Sequence, residues 1–355
     1  MVMTEIGQEV KTSEVLTVDQ LTTEHVRIWS ELQNSHPVLN DPFYSFGFTR
    51  AMASVVDTIE VGVLRQNGEI MGFLPFERRG RHRGQPVGSR VCEIQGAVVK
   101  PGTEWNPTAV LREAGLAEWW FDTVPSWQTP VASHAFCEDE FPWIDLSPGF
   151  DAYRKNRRQA GTRQIDNALR KQRQLERDIG PVRFEYHTED PQALELLIDW
   201  KSRQYQDTGT FNPFRVPWVK RLCRTVIEQG TPDCNGCLSA LYVDDRIIAL
   251  HLGLRSETVI NCWFPAYDPD PEISRYSAGM VLLVRLLQEA SEQGNQRYHL
   301  GRGPERYKSS FRKGSYPVAE GVVSQTTLRR AARRSVFALR EFATSTSVAR
   351  PAVRL

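Results

Sequence analysis

Two stretches of the chain place apolar and polar residues in the same order. VGVLRQNGEIMGFLPF (61–76) and ALYVDDRIIALHLGL (240–254) each read as an apolar strand, a turn dipeptide, one polar position and a second apolar strand. Asn-Gly and Asp-Asp tolerate the positive φ of tight hairpin turns. Asn67 aligns with Asp244, Ile70 with Ile247 and Met71 with Ile248, a constant offset of 177. An offset of half the chain predicts a duplicated architecture.

The flanks repeat as well. In the second half, VRFEYH (182–187) alternates like a strand, and 191–209 carries Leu194, Leu197, Ile198 and Lys201 at helical spacing. VPWVKRLCRTVIEQG reads as another helix stopped by Gly230, and strands follow near 238–243, 246–255 and 258–264. Ser277 suits the cap of an apolar helix, AGMVLLVRLLQEASEQ, that Gly294 ends. RYHL is a strand, PERYKSSF a helical turn, and YPVAEGVVSQTTL a final strand or pair. The first half gives a strand near 14–18, helices near 22–34 and 44–56, a hairpin over 58–76, strand in 90–99, a helix over 108–123 and a strand FPWIDL (141–146). These elements predict a mixed α/β protein with an N-terminal domain (1–150), a basic helical linker (151–180), a second domain (181–328) and a basic tail (329–355).

The 355 residues, 40% hydrophobic and a quarter charged, have the composition of a globular protein and length for two cores. No apolar run nears the ~20 residues of a membrane span, and the first fifteen residues carry no secretory pattern, so a cytoplasmic location is expected. The net charge of +1 hides segregation. Residues 154–177 hold nine Lys/Arg against two acids, and residues 326–355 hold seven Arg against Glu341. The first run reads as a helix with arginines all round, the terminal one as an amphipathic helix with Leu328, Ala332, Val336 and Leu339 on one face. That apolar stripe is expected to pack on the second domain, with peripheral contact to an anionic membrane as the alternative. Cys234 and Cys237 form a lone CxxC with no second pair, and the seven histidines lack ligand spacing, so no metal is expected. His251 and His299 fall on neighbouring strands and read as core-adjacent.

The element order resembles the GNAT acyltransferase fold, and two such domains resemble the FemABX-like branch. The nearest resemblance is to CelD/BcsL-type acetyltransferase-domain proteins of cellulose and exopolysaccharide biosynthesis. It rests on DPFYSFGF (41–48), GFLPF (72–76), SRYSAGMVLL (274–283) and HLGRGPERYKSSF (299–311). The family's pyrophosphate loop, Arg/Gln-x-x-Gly-x-Gly/Ala, is met here by RYSAGM, with Ala278 and Met280 as departures. The resemblance implies acyl-coenzyme A held by Arg275, Ser277, Ala278, Gly279 and Met280, where a helix start offers free N–H groups and a favourable dipole. It further implies that strand 296–301 splays from its neighbour and opens a cleft, with Arg302, Glu305, Tyr307 and Lys308 at the mouth.

Acyl transfer needs a base, an acid for the leaving thiolate and donors for developing negative charge. Glu305 is expected as the base if burial raises its pKa, Tyr307 as the acid, and Lys308 as the stabilising cation or a phosphate partner. A salt bridge between Glu305 and Arg302 is the structural alternative. Trp200, Arg203 and Gln204, at helical spacing, would border the acceptor, a sugar, sugar nucleotide or other envelope precursor. The arginine-rich loop 77–88 reads as a phosphate cradle or an exposed hairpin end. Aminoacyl-tRNA as donor, as in Fem-type transferases, and a non-catalytic binding module are the other readings.

Overall fold

The computed structural model describes residues 11–303 and 305–345; the start of the chain and the last part of the expected tail lie outside the described residues. The chain divides into two compact units, one of residues up to Glu140 together with Pro317–Ser345, the other Phe141–Tyr316. The strands are β1 (Lys11–Thr17), β2 (Ile59–Gln66), β3 (Glu69–Arg79), β4 (Arg83–Gln85), β5 (Val98–Val99), β6 (Glu118–Pro125), β7 (Ala135–Asp145), β8 (Val182–Glu185), β9 (Asn235–Val243), β10 (Arg246–Arg255), β11 (Val259–Tyr267), β12 (Arg297–His299) and β13 (Gly314–Ser324). In the first unit the strand order is β1-β2-β3-β4-β6-β13, with β5 against β3. In the second it is β7-β12-β11-β10-β9-β8.

Both hairpins turn as their dipeptides require. Asn67 and Asp244 take φ of 53° and 50°, and Gly68 follows Asn67 at 87°. The helices are α1 (Thr23–Gln33), α2 (Phe46–Ala53), α3 (Pro107–Glu113), α4 (Thr129–Ala132), α5 (Phe150–Gln159), α6 (Gln164–Asp178), α7 (Ala193–Asp207), α8 (Pro217–Glu228), α9 (Pro271–Ser274), α10 (Ala278–Glu292), α11 (Arg306–Phe311) and α12 (Thr327–Ser345).

Several expectations need correction. The helix expected over 108–123 ends at Glu113, because Gly115 adopts φ 67° and the Leu116 and Gly115 N–H groups close on the Leu111 and Arg112 carbonyls at 2.7 and 3.0 Å. This is a Schellman stop. The following EWWFDTVP then extends as β6, whose Trp119, Phe121 and Val124 enter the first unit's core beside Ala319 and Val323 of β13. Strand within 90–99 is confined to Val98–Val99, and the final segment is one strand whose residues 318–324 pair antiparallel with β6.

The basic segment is not a linker with arginines on every side. Gly161 (φ 85°) breaks it into α5 and α6, and Tyr153, Ile165, Ala168 and Leu175 are buried in the second unit's cores. Its arginines occupy the remaining faces, where Arg154 and Arg158 both grip Asp166. The apolar stripe of α12, expected to be covered, is also open: Leu328, Val336 and Leu339 are 80, 59 and 69% exposed.

Candidate active site

The second unit's sheet opens at one place. β12 pairs in parallel with β11 for three residues only, Val259 with Arg297, Ile260 with Tyr298 and Asn261 with His299. β12 stops there, while β11 continues to Tyr267 on its other partner, β10. The expected parting of strands is therefore present, and a cleft of about 530 Å³ lies against it.

One wall is the start of α10. Ser277, Ala278, Gly279 and Met280 all line the cleft; the Met280 N–H already closes on the Ser277 carbonyl at 2.8 Å, so the donors that the helix start offers are those of Ala278 and Gly279. Ser277 occupies the N-cap position, as expected, but in a left-handed conformation (φ 54°, ψ 52°) that keeps its side chain from capping the helix. Its hydroxyl instead meets Lys171 Nζ of α6 at 2.5 Å, and the same ammonium donates to the Arg275 carbonyl at 3.2 Å. A cation is thus tied to the helix start. Gly279 leaves room for the Tyr267 ring, since a Cβ there would lie 3.3 Å from Tyr267 Cδ1. Met280, the larger departure in the loop, packs partly against the core that contains Tyr298 and Leu283, so its bulk goes largely into the domain.

The other wall carries Glu305 and Tyr307, both of which line the cleft. Tyr307 packs edge-on to Phe311 with ring centroids 6.3 Å apart. The burial expected of Glu305 is not met: its side chain is 54% exposed and pairs with Lys308 at 2.8 Å. Lys308 is the buried member, 8% exposed, and its ammonium also donates to the Gly301 and Arg302 carbonyls at 3.0 and 3.1 Å. With three acceptors it is a loop fastener, not a cation free to meet substrate, and this corrects the role expected of it. Gly301 (φ 70°) and Gly303 (φ 141°) supply the backbone the loop needs.

Four further expected residues do not line the cleft. On α7 the cleft-facing pair is Lys201 and Gln204, three residues apart; Gln204 Nε2 reaches the Tyr267 hydroxyl at 3.4 Å. At about 100° per residue, Trp200 and Arg203 turn off that face, and Arg203 bonds Asp199 at 2.8 Å. Arg275 is exposed, donates to the Tyr276 hydroxyl at 2.5 Å and lies over that ring. Arg302 contributes its carbonyl to the Lys308 knot and is likewise outside the lining.

The cleft floor holds residues that sequence reasoning did not place there. His251 of β10 and Tyr298 of β12 are buried, with His251 Nε2 3.2 Å from the Tyr298 hydroxyl. Both line the cleft beside Cys262. Burial first, and the Lys201 ammonium second, push the His251 pKa down to about 3. Burial, with Cys262 next, holds the Tyr298 phenol well above its ordinary range. At neutral pH the pair is an uncharged imidazole beside an uncharged phenol. The sequence signal was a polar residue at an inward position of the two apolar strands that flank β11; Lys171, brought in by α6, had none. Among the described residues no cluster of His, Cys, Asp or Glu is placed to hold a metal.

Residues 162–309 match a protein family described as an acetyltransferase (GNAT) domain. No curated protein matches the chain. Among solved structures, FemX is similar over 90% of this chain and 99% of its own, at 10% identity and a TM-score of 0.57. The L-PGS of Bacillus licheniformis is similar over 94% of this chain and 98% of its own, at 10% identity and a TM-score of 0.50. A tandem GNAT protein of the clavulanic acid biosynthesis pathway covers 88% of this chain and 99% of its own, at 10% identity and a TM-score of 0.48. The fold is therefore mixed α/β and GNAT-like, and the acetyltransferase domain matched over residues 162–309 makes the protein an enzyme with donor and acceptor open.

Proposed function

We propose that the protein transfers an acyl group from acyl-coenzyme A to an amine or hydroxyl of a sugar, sugar nucleotide or envelope precursor, as CelD/BcsL-type proteins would. The observation that carries this reading is the cleft at the parting of β11 and β12, with the α10 start on one wall and Glu305 and Tyr307 on the other. The residues fit such a donor. A pyrophosphate would be held by the Ala278 and Gly279 N–H groups at the start of α10, with Lys171 as the nearby cation. Bound there, the donor supplies an activated thioester carbonyl.

The chain's own residues would then move the protons. Glu305, qualified by its place on the cleft wall and not by burial, accepts the proton of the attacking nitrogen or oxygen as its bond to the acyl carbon forms. As the carbon–sulfur bond breaks, Tyr307 gives its hydroxyl proton to the departing thiolate. Tyr298 and His251, uncharged and out of water, keep the floor of the cleft in low dielectric, where the charge on the reacting carbonyl is most sensitive to nearby donors.

Acetyl-coenzyme A should raise the melting temperature, corresponding to about 2.7 kcal/mol at a hundred times its Kd. Glu305→Gln and Tyr307→Phe should each lower turnover by about 10²–10⁴-fold, Tyr307→Phe with unchanged melting and Glu305→Gln with a lowered melting temperature, because the buried Lys308 ammonium loses its carboxylate partner; full turnover in both would remove their assigned roles. Gly279→Val should weaken donor binding about tenfold, because the added side chain presses the Tyr267 ring at the helix start. Calorimetric titration checks it, and unchanged affinity would displace the donor from α10. The Fem-type alternative, an aminoacyl-tRNA donor, is favoured by the basic exposed faces of α5 and α6. It predicts tRNA binding that weakens steeply with salt and no thermal shift with acetyl-coenzyme A.

A further inference from the structure

The first unit carries a surface that the transferase chemistry does not use. α12 is amphipathic, yet it is fastened to its unit by its polar side. Arg333 bonds both carboxylate oxygens of Glu118 at 3.1 and 2.5 Å, and Arg330 donates to the Ser133 carbonyl at 3.1 Å. Phe337 touches Phe136, with ring centroids 5.7 Å apart. The spacing of 330, 333 and 337 makes this one helical face. The face carrying Leu328, Ala332, Val336 and Leu339 consequently points to solvent. A surface helix normally buries its apolar stripe. This one presents it, and contiguous exposed apolar surface marks a contact site.

The surroundings identify the chemistry of the partner. A cleft of about 490 Å³ lies between α12 and the β3–β4 turn, lined by Arg81, Arg83, Arg329 and Val336 among others. Arg81, Arg83 and Arg329 are exposed. None of their guanidinium groups has an ion-pair partner among the described residues. Aliphatic side chains ringed by unpaired guanidinium groups match an anionic lipid surface, whose acyl boundary takes the former and whose headgroup phosphates take the latter. Nucleic acid would satisfy the arginines and leave Leu328, Val336 and Leu339 in water. A second copy of the chain would bring like charge onto like charge, since residues 326–355 hold seven Arg and one Glu.

We propose that α12 and the β3–β4 turn form a peripheral docking face for an anionic lipid bilayer, with Leu328, Val336 and Leu339 in the interface and Arg81, Arg83 and Arg329 on headgroup phosphates. The test is sedimentation of the full chain with vesicles of phosphatidylcholine alone or mixed equally with phosphatidylglycerol. The protein should pellet with the mixed vesicles and stay in the supernatant with the neutral ones. Val336→Asp with Leu339→Asp should lower partitioning about tenfold or more, and Arg81→Gln or Arg83→Gln about fivefold each. These side chains are exposed, so melting should not change. A supernatant protein with mixed vesicles overturns the proposal. So does retention of binding by the double Asp variant, which would leave a charge-only surface that duplex RNA should then occupy equally well. A wild-type dimer in ultracentrifugation that the double Asp variant dissolves would also overturn it, by making a second copy the occupant.

Discussion

Acidification from pH 6.5 toward 3 is expected to strip the protein of stability at about 1.4 kcal/mol per pH unit from His251 alone. The imidazole is buried, and the folded state holds it neutral down to about 3 while its ordinary value is 6.5. Above pH 6.5 neither folded nor unfolded chain binds this proton, and the contribution is fully present. Below it the unfolded chain takes up the proton and the folded one does not, so stability falls until the pH reaches the folded value. The accumulated loss, roughly 4–5 kcal/mol, is a large part of the 5–15 kcal/mol of an ordinary domain. Urea unfolding at several pH values measures it. His251→Gln keeps a polar group near Tyr298 without a titratable ring and should remove about one proton from the slope; an identical slope in the variant would assign the acid lability elsewhere.

Lys308→Met should have the second large effect, a loss of about 2–4 kcal/mol together with most of the turnover. The ammonium satisfies the Gly301 and Arg302 carbonyls and the Glu305 carboxylate at once. Removing it leaves two carbonyls of a glycine-rich loop without their donor and releases Glu305 from its position on the cleft. Lys308→Arg should not restore function, because a planar guanidinium cannot aim three donors at acceptors gathered around one point. Thermal melts and turnover measured together decide the matter. A variant that melts and turns over like wild type would show that the loop holds itself.

Much of the architecture was legible in the chain, for reasons that can be named. The hairpins around Asn67 and Asp244 announce themselves because few residues tolerate positive φ, and α10 because a long apolar helix must stop at Gly294 (φ 88°). β6 was misread because Leu116 and the aromatic pair after it suit either period; the decision lay with one residue, Gly115, whose left-handed turn ends α3. The site was legible as a segment but not as a set of roles. The family resemblance placed α7 at the cleft, yet which of Trp200, Lys201, Arg203 and Gln204 faces it depends on the rotation of the helix against β11. Lys308 looked like a free cation because nothing local shows that the chain will fold back over it. The outward stripe of α12 escaped for the same reason: periodicity shows that a helix has two faces, and only the partners of Arg330 and Arg333 show which one is turned inward.

The strand β13 ties the end of the chain to its beginning. Val318 pairs with Pro125 across 193 positions of sequence, and the register continues to Ser324 with Glu118. During synthesis β6 must therefore wait without this partner until β13, 193 positions further on, has emerged, and closing so long a loop is slow. A ribosome that halts before Gly314 would release a product whose lesion lies in its earliest-made half, with the β6 edge open to other chains.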